Sequence, residues 1–385
     1  MQCVLKAAWV FDGWALHQDA AISLSEDGCI AGFHAAGEDL PNGAQVTDLG
    51  AGILAPGLVD LQVNGGDGVM VGPETDADQL ARICSVHARL GATVILPTLI
   101  TDTLDVTRKV IEAGVEAHRR HVPGFAGLHL EGPHLDPARK GAHDAALIRP
   151  MTEQDLALLC QAATVLPALM LTVAPESVSL DQITALHRAG AIVSLGHSDC
   201  SATDAKAAFS AGARCVTHLY NAMGPLQNRA PGLVGAALTS PFTAGIIADG
   251  VHVAPECLHV ALQLKAPDGL FLVSDSMAVA GTDMDAFTLN GRRILRQGGR
   301  LTLADGTLAG ADISLPRSVA HLARLDVPVA RALAMASRIP ADVIGASDSG
   351  RIVPGARGDL VLLSEHLDLR SVWISGRKVC ATAPG

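Results

Sequence analysis

Four residues that can carry out chemistry lie far apart in the sequence, yet each follows or ends a short apolar run: Glu131, His197, His218 and Asp275. One carboxylate and two imidazoles, with a water completing the sphere, form a recurrent ligand set for Zn²⁺ or a similar divalent ion. A water bound to such an ion has a pKa of about 7. Asp275 could accept its proton and later deliver it to a leaving group. This set of residue types predicts a metal-dependent hydrolase.

The other histidines give weaker signals, because a single histidine in an apolar run is more often a packed core residue than a ligand. His129 lies two residues before Glu131 and faces the same side of its strand. It therefore either supports the orientation of the ligand or is simply buried. Eight further histidines lie on predicted helices or near the chain ends, and we interpret them as structural or surface residues: His17, His34, His87, His118, His121, His187, His259 and His321.

Eight apolar runs in the middle of the chain predict the strands that position these residues. Continuous apolar runs favour strands buried on both faces, as in parallel sheets. Segments of helical periodicity separate most of the runs, so the predicted fold class is α/β, a (β/α)8 TIM barrel. Because the carboxyl ends of barrel strands meet at one mouth, we expect the four residues above to share a cleft. The runs are Leu58–Val63, Thr93–Leu99, Phe125–Leu130, Leu169–Val173, Ala191–Leu195, Arg214–Leu219, Thr243–Ala248 and Leu270–Val273.

Seven segments predict helices on the outside of this barrel. Several end in Leu-Gly or Ala-Gly, which is typical of a helix C-terminus, and Thr152 and Ser201 are suited to N-cap positions. The predicted helices are Ala77–Leu90, Leu104–Arg120, Glu153–Ala163, Leu180–Ala189, Ala202–Ala211, Ile313–Leu322 and Val329–Ser337.

The two ends of the chain predict a different kind of structure. Residues 1–54 and 355–385 contain short strand-like stretches separated by Gly and Asp turns, and neither end is long enough for an independent core. We expect both ends to pack together as one small β-sandwich beside the barrel, which would occupy residues 55–354.

Composition restricts the class of function. Apolar residues make up 49% of the 385-residue chain, and the net charge of −11 argues against a nucleic-acid-binding surface. The eight cysteines show no CxxC pair, which suits reduced thiols in a cytosolic enzyme. No signal peptide and no membrane-spanning run is evident. The sequence therefore predicts a cytoplasmic enzyme that binds neither nucleic acid nor membrane.

Several loops after the strands also carry polar or glycine-rich segments. Arg229 lies in a Gly/Pro-rich loop, and His252 follows the seventh predicted strand. Two such cations would suit a phosphate monoester. The alternative, that these are ordinary loops, stays open at this point.

The chain resembles the N-acetylglucosamine-6-phosphate deacetylase family of the amidohydrolase superfamily. The similarity extends from LAPGLVDLQVNGG to the terminal VWISGRKV, and its most specific segments are GLHLEGPHLDPARKGAH, SLGHSD, VTHLYNAM, GIIADGVHV and LVSDSMAVAGT. The resemblance implies hydrolysis of the acetamide of a phosphorylated amino sugar, in amino-sugar catabolism or cell-wall recycling.

The resemblance also implies a role for each matching position. Glu131, His197 and His218 would bind the metal, Asp275 would be the general acid and base, and His143 would polarise the acetyl carbonyl. Arg229 and His252 would hold the phosphate, with part of that clamp supplied by the neighbouring subunit of a homodimer. The residues that would line the sugar site are Ala142, His143, Asn221, Ala222, Leu308, Ala309, Gly310 and Ala311.

One departure from the wider superfamily bears on the number of metal ions. The first strand of related enzymes often ends in a His-x-His pair that binds a second metal, whereas this chain has Gln62-Val63-Asn64. Neutral amides are poor substitutes for imidazole at a transition metal. We therefore expect one divalent ion per subunit, with Zn favoured over Fe, Mn or Co. His134 stands where an aromatic residue often follows Glu-Gly-Pro.

Three alternative functions remain open from the sequence. One is the same reaction on N-acetylgalactosamine 6-phosphate. Another is hydrolysis of a cyclic amide, as in dihydroorotase-like enzymes, although the first-strand His pair and the bridging Lys of those enzymes are not evident here. The last is a sugar-phosphate binding protein without catalytic activity, against which the complete Glu/His/His/Asp set argues.

Overall fold

Eight parallel strands form the centre of the molecule, and their order in the sheet is their order along the chain. This computed structural model describes residues 3–379. A bridge between Val63 and Ser276 connects the first strand to the segment after the eighth. The predicted (β/α)8 barrel is therefore confirmed. Its strands are Leu58–Val63, Ala92–Ile100, Leu128–Glu131, Leu169–Val173, Ile192–Leu195, Cys215–Val216, Thr243–Ile246 and Leu270–Leu272.

The sixth strand is shorter than its apolar run predicted, ending at Val216 instead of Leu219. His218 has a φ of +27°, outside the β region. A residue in that conformation cannot continue a ladder, so the strand ends before it. The backbone geometry of the site thus takes precedence over the apolar pattern.

The predicted helices are present, with bounds that differ by at most two residues at either end. The Thr152 side chain accepts a hydrogen bond from the Asp155 amide, and Asp155 returns one, which completes a capping box. The helices of the described chain are Ala77–Arg89, Leu104–Arg119, Glu153–Val165, Leu180–Arg188, Ala202–Ala211, Gly232–Thr239, Pro255–Leu264, Leu315–Arg324, Val329–Ala336 and Arg338–Val343, with a short 3-10 turn at Pro137–Arg139.

Three of these helices were not predicted. Gly232–Thr239 is apolar almost throughout and has no side-chain cap, and Pro255–Leu264 also lacks one. Arg338–Val343 follows directly on the preceding helix and is only six residues long. None of the three shows the polar start and one-sided periodicity by which a helix is recognised in a sequence. No helix of residues 3–379 is both long and apolar enough to cross a membrane.

Both chain ends contribute to one small β domain, as expected. Its inner contact is the antiparallel pair of Leu360–Leu363 with Ile53–Pro56, and an apolar cluster that includes Leu5, Leu54 and Trp373 lies between the two sheets. The strand Ile53–Pro56 crosses the predicted boundary at residues 54 and 55; the boundaries themselves stay a prediction, and residues 380–385 lie outside the described chain. The four-stranded sheet has the strand order Ile30–His34, Ala21–Leu24, Cys3–Lys6, Gln45–Asp48. The six-stranded sheet has the strand order Arg377–Val379, Leu369–Ile374, Leu360–Leu363, Ile53–Pro56, Trp9–Phe11, Leu16–Gln18.

A four-stranded antiparallel sheet, which the sequence did not predict, is inserted after the eighth barrel strand. Its apolar face packs on Met277 and Ile100, while the other face carries charged residues. Because its strands are short and alternate between apolar and polar residues, they are difficult to distinguish from loops in the sequence. The Arg292 guanidinium donates a hydrogen bond to the carbonyl of Ala142. The insertion therefore packs against the loop that carries His143. Its strands are Ala286–Leu289, Arg292–Gln297, Arg300–Thr302 and Leu308–Ala311, and a small hairpin pairs Gly65–Gly66 with Val69–Met70.

Candidate active site

The fold brings the predicted metal ligands together at the carboxyl ends of the strands. Glu131 Oε1 lies 3.0 Å from His218 Nε2 and 3.2 Å from His197 Nε2. The two imidazole Nε2 atoms are 3.1 Å apart. All three residues are at most 4% exposed. Glu131, His143 and His197 also form a group whose ligand atoms lie within 4.8 Å of one another.

The hydrogen bonds around this cluster suit a bound cation. The Nδ1–H of His197 donates to the carbonyl of Arg139 at 2.9 Å, so the neutral ring presents an unprotonated Nε2 to the Glu131 carboxylate. Burial raises the pKa of Glu131, but the interactions with the surrounding imidazoles outweigh burial and hold the pKa well below the usual range. Lone pairs of a carboxylate and an imidazole that converge in this way are the donors that a divalent ion prefers.

The backbone is strained at three of the converging residues. His197 and Asp275 both have a φ of +48°, and His218 has a φ of +27°. Non-glycine residues in this region cost about 1–3 kcal/mol each and concentrate at functional sites. All three residues follow the ends of their strands, which stop at Leu195, Val216 and Leu272.

Asp275 receives two amide hydrogen bonds from the first strand. Asn64 Nδ2 donates to its Oδ1 at 2.7 Å, and Gln62 Nε2 donates to the same oxygen at 3.2 Å. Gln62 Nε2 also lies 3.0 Å from Glu131 Oε1. The two amides that replace a histidine pair thus hold the two carboxylates of the site in place.

The pKa of Asp275 is raised to about 6. Although the residue is partly exposed, protein atoms surround its carboxyl group, and this desolvation is the largest cause; the charge of Glu131 adds to it. The charges of His218 and His252 and the Asn64 hydrogen bond act in the opposite direction. A carboxyl group with a pKa close to neutrality can both accept and donate a proton.

His143 is oriented from the neighbouring strand end. The backbone N–H of Thr101 faces its Nδ1 at 3.3 Å, and the Thr101 hydroxyl lies 2.7 Å from the same nitrogen. Since a backbone N–H only donates, Nδ1 is the acceptor, and the ring proton lies on Nε2. Burial lowers the pKa of His143 to about 4. The ring is therefore neutral near pH 7 and carries an N–H that can polarise a carbonyl group.

His129 is buried beneath the cluster and contacts none of the predicted ligands by a hydrogen bond. Its Nδ1–H donates to the Leu61 carbonyl at 3.0 Å, and its Nε2 accepts from the Thr172 hydroxyl at 2.7 Å. The chain of hydroxyls continues from Thr172 to Thr217 at 2.6 Å and from there to Ser194 at 2.7 Å. Burial lowers its pKa to about 4. His129 thus joins strands inside the barrel and stays neutral.

The residues predicted to hold substrate are only partly brought together. Asn221 Nδ2 donates to the His218 carbonyl at 3.3 Å, and the Ala311 amide donates to the Asp275 carbonyl at 2.9 Å. Ala222 has a φ of +51° in the turn after His218. The other predicted sugar-site positions, Leu308, Ala309 and Gly310, lie on the same inserted strand as Ala311, and Ala142 precedes His143.

The two predicted phosphate ligands differ in their surroundings. The side chain of His252 is 6% exposed and hydrogen-bonded to Asp249. Arg229 is exposed and makes no hydrogen bond or ion pair within residues 3–379. The role of Arg229 at the phosphate therefore stays a prediction. His134 is 2% exposed, with its Nδ1 3.1 Å from the carbonyl of Arg149, and packs beneath the loop.

Sequence reasoning missed one pair that fixes a ligand. The Arg139 guanidinium donates to the Asp199 carboxylate at 2.8 Å, which joins the loop after the third strand to the loop after the fifth. The carbonyl of the same arginine orients His197. Both residues lie inside the segments that carry the family resemblance, and this is the one signal that could have found them.

Comparisons with known proteins agree with this geometry. The model of the amidohydrolase family matches residues 53–379. The chain is 38% identical to an N-acetylgalactosamine-6-phosphate deacetylase of Shewanella sp. (strain ANA-3), over 85% of this chain and 83% of that one. It is 33% identical to the N-acetylglucosamine-6-phosphate deacetylase of Haemophilus influenzae, over 88% and 90%. The crystal structure of the Pasteurella multocida N-acetylglucosamine-6-phosphate deacetylase superposes with a TM-score of 0.93 at 30% identity, covering 98% of this chain and all (100%) of that one.

Proposed function

Since the chain belongs to the amidohydrolase family, we propose that it hydrolyses the acetamide of N-acetylglucosamine 6-phosphate to acetate and glucosamine 6-phosphate. The observation that carries this proposal is the position of Asp275, whose carboxyl group has a pKa of about 6 beside the cluster of Glu131, His197 and His218. The site thus combines a proton carrier with a set of metal ligands, as amide hydrolysis requires.

Glu131, His197 and His218 would hold one divalent ion, and we favour Zn over Fe, Mn or Co. Such an ion, when bound, would polarise the acetyl carbonyl group and lower the pKa of a water, so that a nucleophile is available at neutral pH. Gln62 and Asn64 donate their amide N–H groups to the carboxylates, and their amide oxygens have no hydrogen-bond partner among residues 3–379. Neutral amide oxygens are poor substitutes for imidazole at a transition metal. This arrangement supports a single ion in place of the pair that a first-strand His-x-His would hold.

The chain's own residues account for the proton transfers. The Asp275 carboxylate takes a proton from the attacking water as the new carbon–oxygen bond forms. The Nε2–H of His143 donates to the carbonyl oxygen as negative charge develops there. When the carbon–nitrogen bond breaks, Asp275 passes its proton to the amine, which leaves glucosamine 6-phosphate and acetate. Asn64 and Gln62 hold the Asp275 carboxyl in position throughout.

Recognition of the sugar phosphate would use the surrounding loops. Ala142, Asn221, Ala222 and the inserted strand Leu308–Ala311 would line the sugar, and His252 would contact the phosphate. Arg229, which is exposed, would complete the phosphate clamp from the neighbouring subunit of a homodimer. We also infer that the enzyme works in the cytoplasm, where the seven described cysteines, all free thiols, would stay reduced.

A second candidate substrate is N-acetylgalactosamine 6-phosphate. It is favoured by the 38% identity to the Shewanella enzyme named for that substrate, which exceeds the 33% identity to the Haemophilus enzyme. The two substrates differ only in the configuration at carbon 4. Both are phosphorylated 2-acetamido sugars, so the site chemistry derived above serves either one.

Acetate release from the two phosphosugars, measured side by side, tests the proposal. We expect kcat/KM to be higher for N-acetylglucosamine 6-phosphate, and chelator to abolish both activities. A higher kcat/KM for the galactosamine compound would transfer the proposal to the second candidate. The absence of acetate from both, in protein that carries its metal, would favour a binding protein and contradict the proposed reaction.

A further inference from the structure

A carboxylate that no catalytic step uses holds the ring of His252. Asp249 Oδ2 lies 2.6 Å from His252 Nδ1, and both side chains are close to fully buried, at 5% and 6% exposure. The two residues follow the seventh barrel strand, in the turn that leads into the helix Pro255–Leu264. This contact is the shortest of those that involve a histidine at the mouth of the barrel.

The other oxygen of Asp249 fixes the turn itself. Oδ1 accepts hydrogen bonds from the backbone N–H groups of Val251 and His252, both at 2.8 Å. Gly250 between them has a φ of +73°, which glycine adopts without strain. Burial raises the pKa of Asp249, but the His252 contacts and the two backbone hydrogen bonds together lower it below the usual value. Asp249 is thus an ionised group, and both of its carboxylate oxygens accept hydrogen bonds from residues of this turn.

The consequence for His252 follows from the number of protons on its ring. Because Asp249 only accepts, Nδ1 carries a proton, and in a neutral ring Nε2 would then have only a lone pair. Nε2 makes no hydrogen bond with any described residue. A lone pair cannot donate a hydrogen bond, so a hydrogen bond from Nε2 to an unprotonated phosphate oxygen requires a second proton on the ring.

We propose that Asp249 is a positioning residue for phosphate recognition: it fixes the His252 ring with Nδ1 as the donor, and so directs Nε2 at the phosphate monoester of the substrate. The inference rests on the proposed function for the identity of the ligand. The pair of Asp249 and His252, called the dyad below, would give the enzyme its preference for phosphorylated over unphosphorylated amino sugars. Of the two residues, only His252 would contact the substrate.

The charges around the dyad are consistent with this role. The positive charge of His252 lowers the pKa of Asp275, which places the ring near the reacting end of the substrate site. On the other side lies His321 of the helix Leu315–Arg324. Burial and the charge of Arg324 lower the pKa of His321, and the charge of Asp249 acts in the opposite direction.

Binding of glucosamine 6-phosphate and of glucosamine, measured by isothermal titration calorimetry, tests the inference without any need for turnover. We expect the Asp249→Asn variant to bind glucosamine 6-phosphate about tenfold more weakly, because a neutral hydrogen bond replaces a charge-assisted one. Binding of glucosamine should stay unchanged. His252→Gln should show a similar loss, and the double variant should lose little more than either single one.

Asp155→Asn is the matched control, because Asp155 is also a buried aspartate. Its carboxylate likewise accepts a hydrogen bond from a cationic side chain, that of Arg149 at 2.7 Å, and one from a backbone N–H, that of Thr152 at 2.9 Å. It should leave both affinities unchanged. Equal loss of both ligands in Asp249→Asn, an unchanged affinity for glucosamine 6-phosphate, or additive losses in the double variant would each overturn the inference. If the wild-type protein releases no acetate yet prefers the phosphosugar, the proposed reaction fails while the inference stands.

Discussion

The mouth of the barrel and the small β domain are both well packed, but they are built on opposite principles. In the small domain, the buried cluster around Leu54 and Trp373 is apolar, and its strands pair in ladders, two of which contain a register shift. At the mouth, buried carboxylates and imidazoles lie about 3 Å apart, as Glu131 and His218 do at 3.0 Å, on a backbone with positive φ at several residues. The small domain contributes stability, whereas the mouth concentrates charge and strain that the rest of the fold must hold in place.

This contrast predicts that substitutions in the two regions have separate effects. A change at the mouth should alter chemistry and leave folding largely intact, because the barrel core below it is unaffected. A change in the small domain should alter folding and leave the chemistry of the folded fraction intact. The predictions below test this separation in order of expected effect.

Asp275→Asn should give the largest effect, a loss of turnover of about 10²- to 10⁴-fold. The amide cannot take up or deliver the proton, yet it has nearly the same shape and removes one of two close negative charges. Metal content and affinity for glucosamine 6-phosphate should therefore be kept. Asp268→Asn, on the opposite end of the barrel beside Arg338, is the control and should retain ordinary rates. A turnover of Asp275→Asn within tenfold of the wild type would show that its assigned role is wrong.

Leu54→Ala should lower the free energy of unfolding by about 2–5 kcal/mol, as expected for a fully buried leucine. Leu54 is 0% exposed in the core of the small domain. Urea unfolding measures the loss, and kcat/KM at 25 °C should stay within about twofold, since the residue is remote from the mouth. Val46→Ala in the same domain, where the side chain is 48% exposed, is the control and should change stability little. A fall in kcat/KM of the folded Leu54→Ala protein would contradict the separation of the two regions.

Asn64→Ala should have the smallest effect, a loss of about tenfold in kcat/KM at neutral pH, the size expected for one hydrogen bond to a charged group. The Asn64 hydrogen bond favours the ionised form of Asp275, so its removal raises the pKa of that carboxyl further above its usual value. Because catalysis needs the carboxylate, activity rises as pH rises through this pKa. The acid limb of the pH profile should therefore move to higher pH. An unmoved limb, or one moved to lower pH, would mean that Asn64 does not act on Asp275.

The same contrast explains how much the sequence predicts. Apolar runs and cap residues predicted the barrel strands, seven of the helices and the joined chain ends, because these elements follow burial and periodicity. Residue types at the strand ends predicted which side chains meet at the mouth. The helix Gly232–Thr239 and the inserted sheet were missed, since the first is apolar on all sides and the second alternates over very short strands.

Other features of the site depend on contacts between distant loops, which no local pattern encodes. The Arg139 carbonyl that orients His197 and the Asp249 carboxylate that holds His252 both exist only after the loops have met. The positive φ at His197 and His218 likewise reflects tertiary packing that overrides the preference of these residues. Sequence reasoning therefore identified side chains that meet at the mouth of the barrel and not the residues that support them.

Titration of metal back into chelator-treated protein tests the central claim most directly. Acetate release from N-acetylglucosamine 6-phosphate should be absent after chelation and should rise linearly with added Zn²⁺ to a plateau at one equivalent per chain. That result would confirm that Glu131, His197 and His218 form a single-ion site that hydrolysis requires. Full activity in protein shown to be metal-free, or a plateau only at two equivalents, would contradict the account.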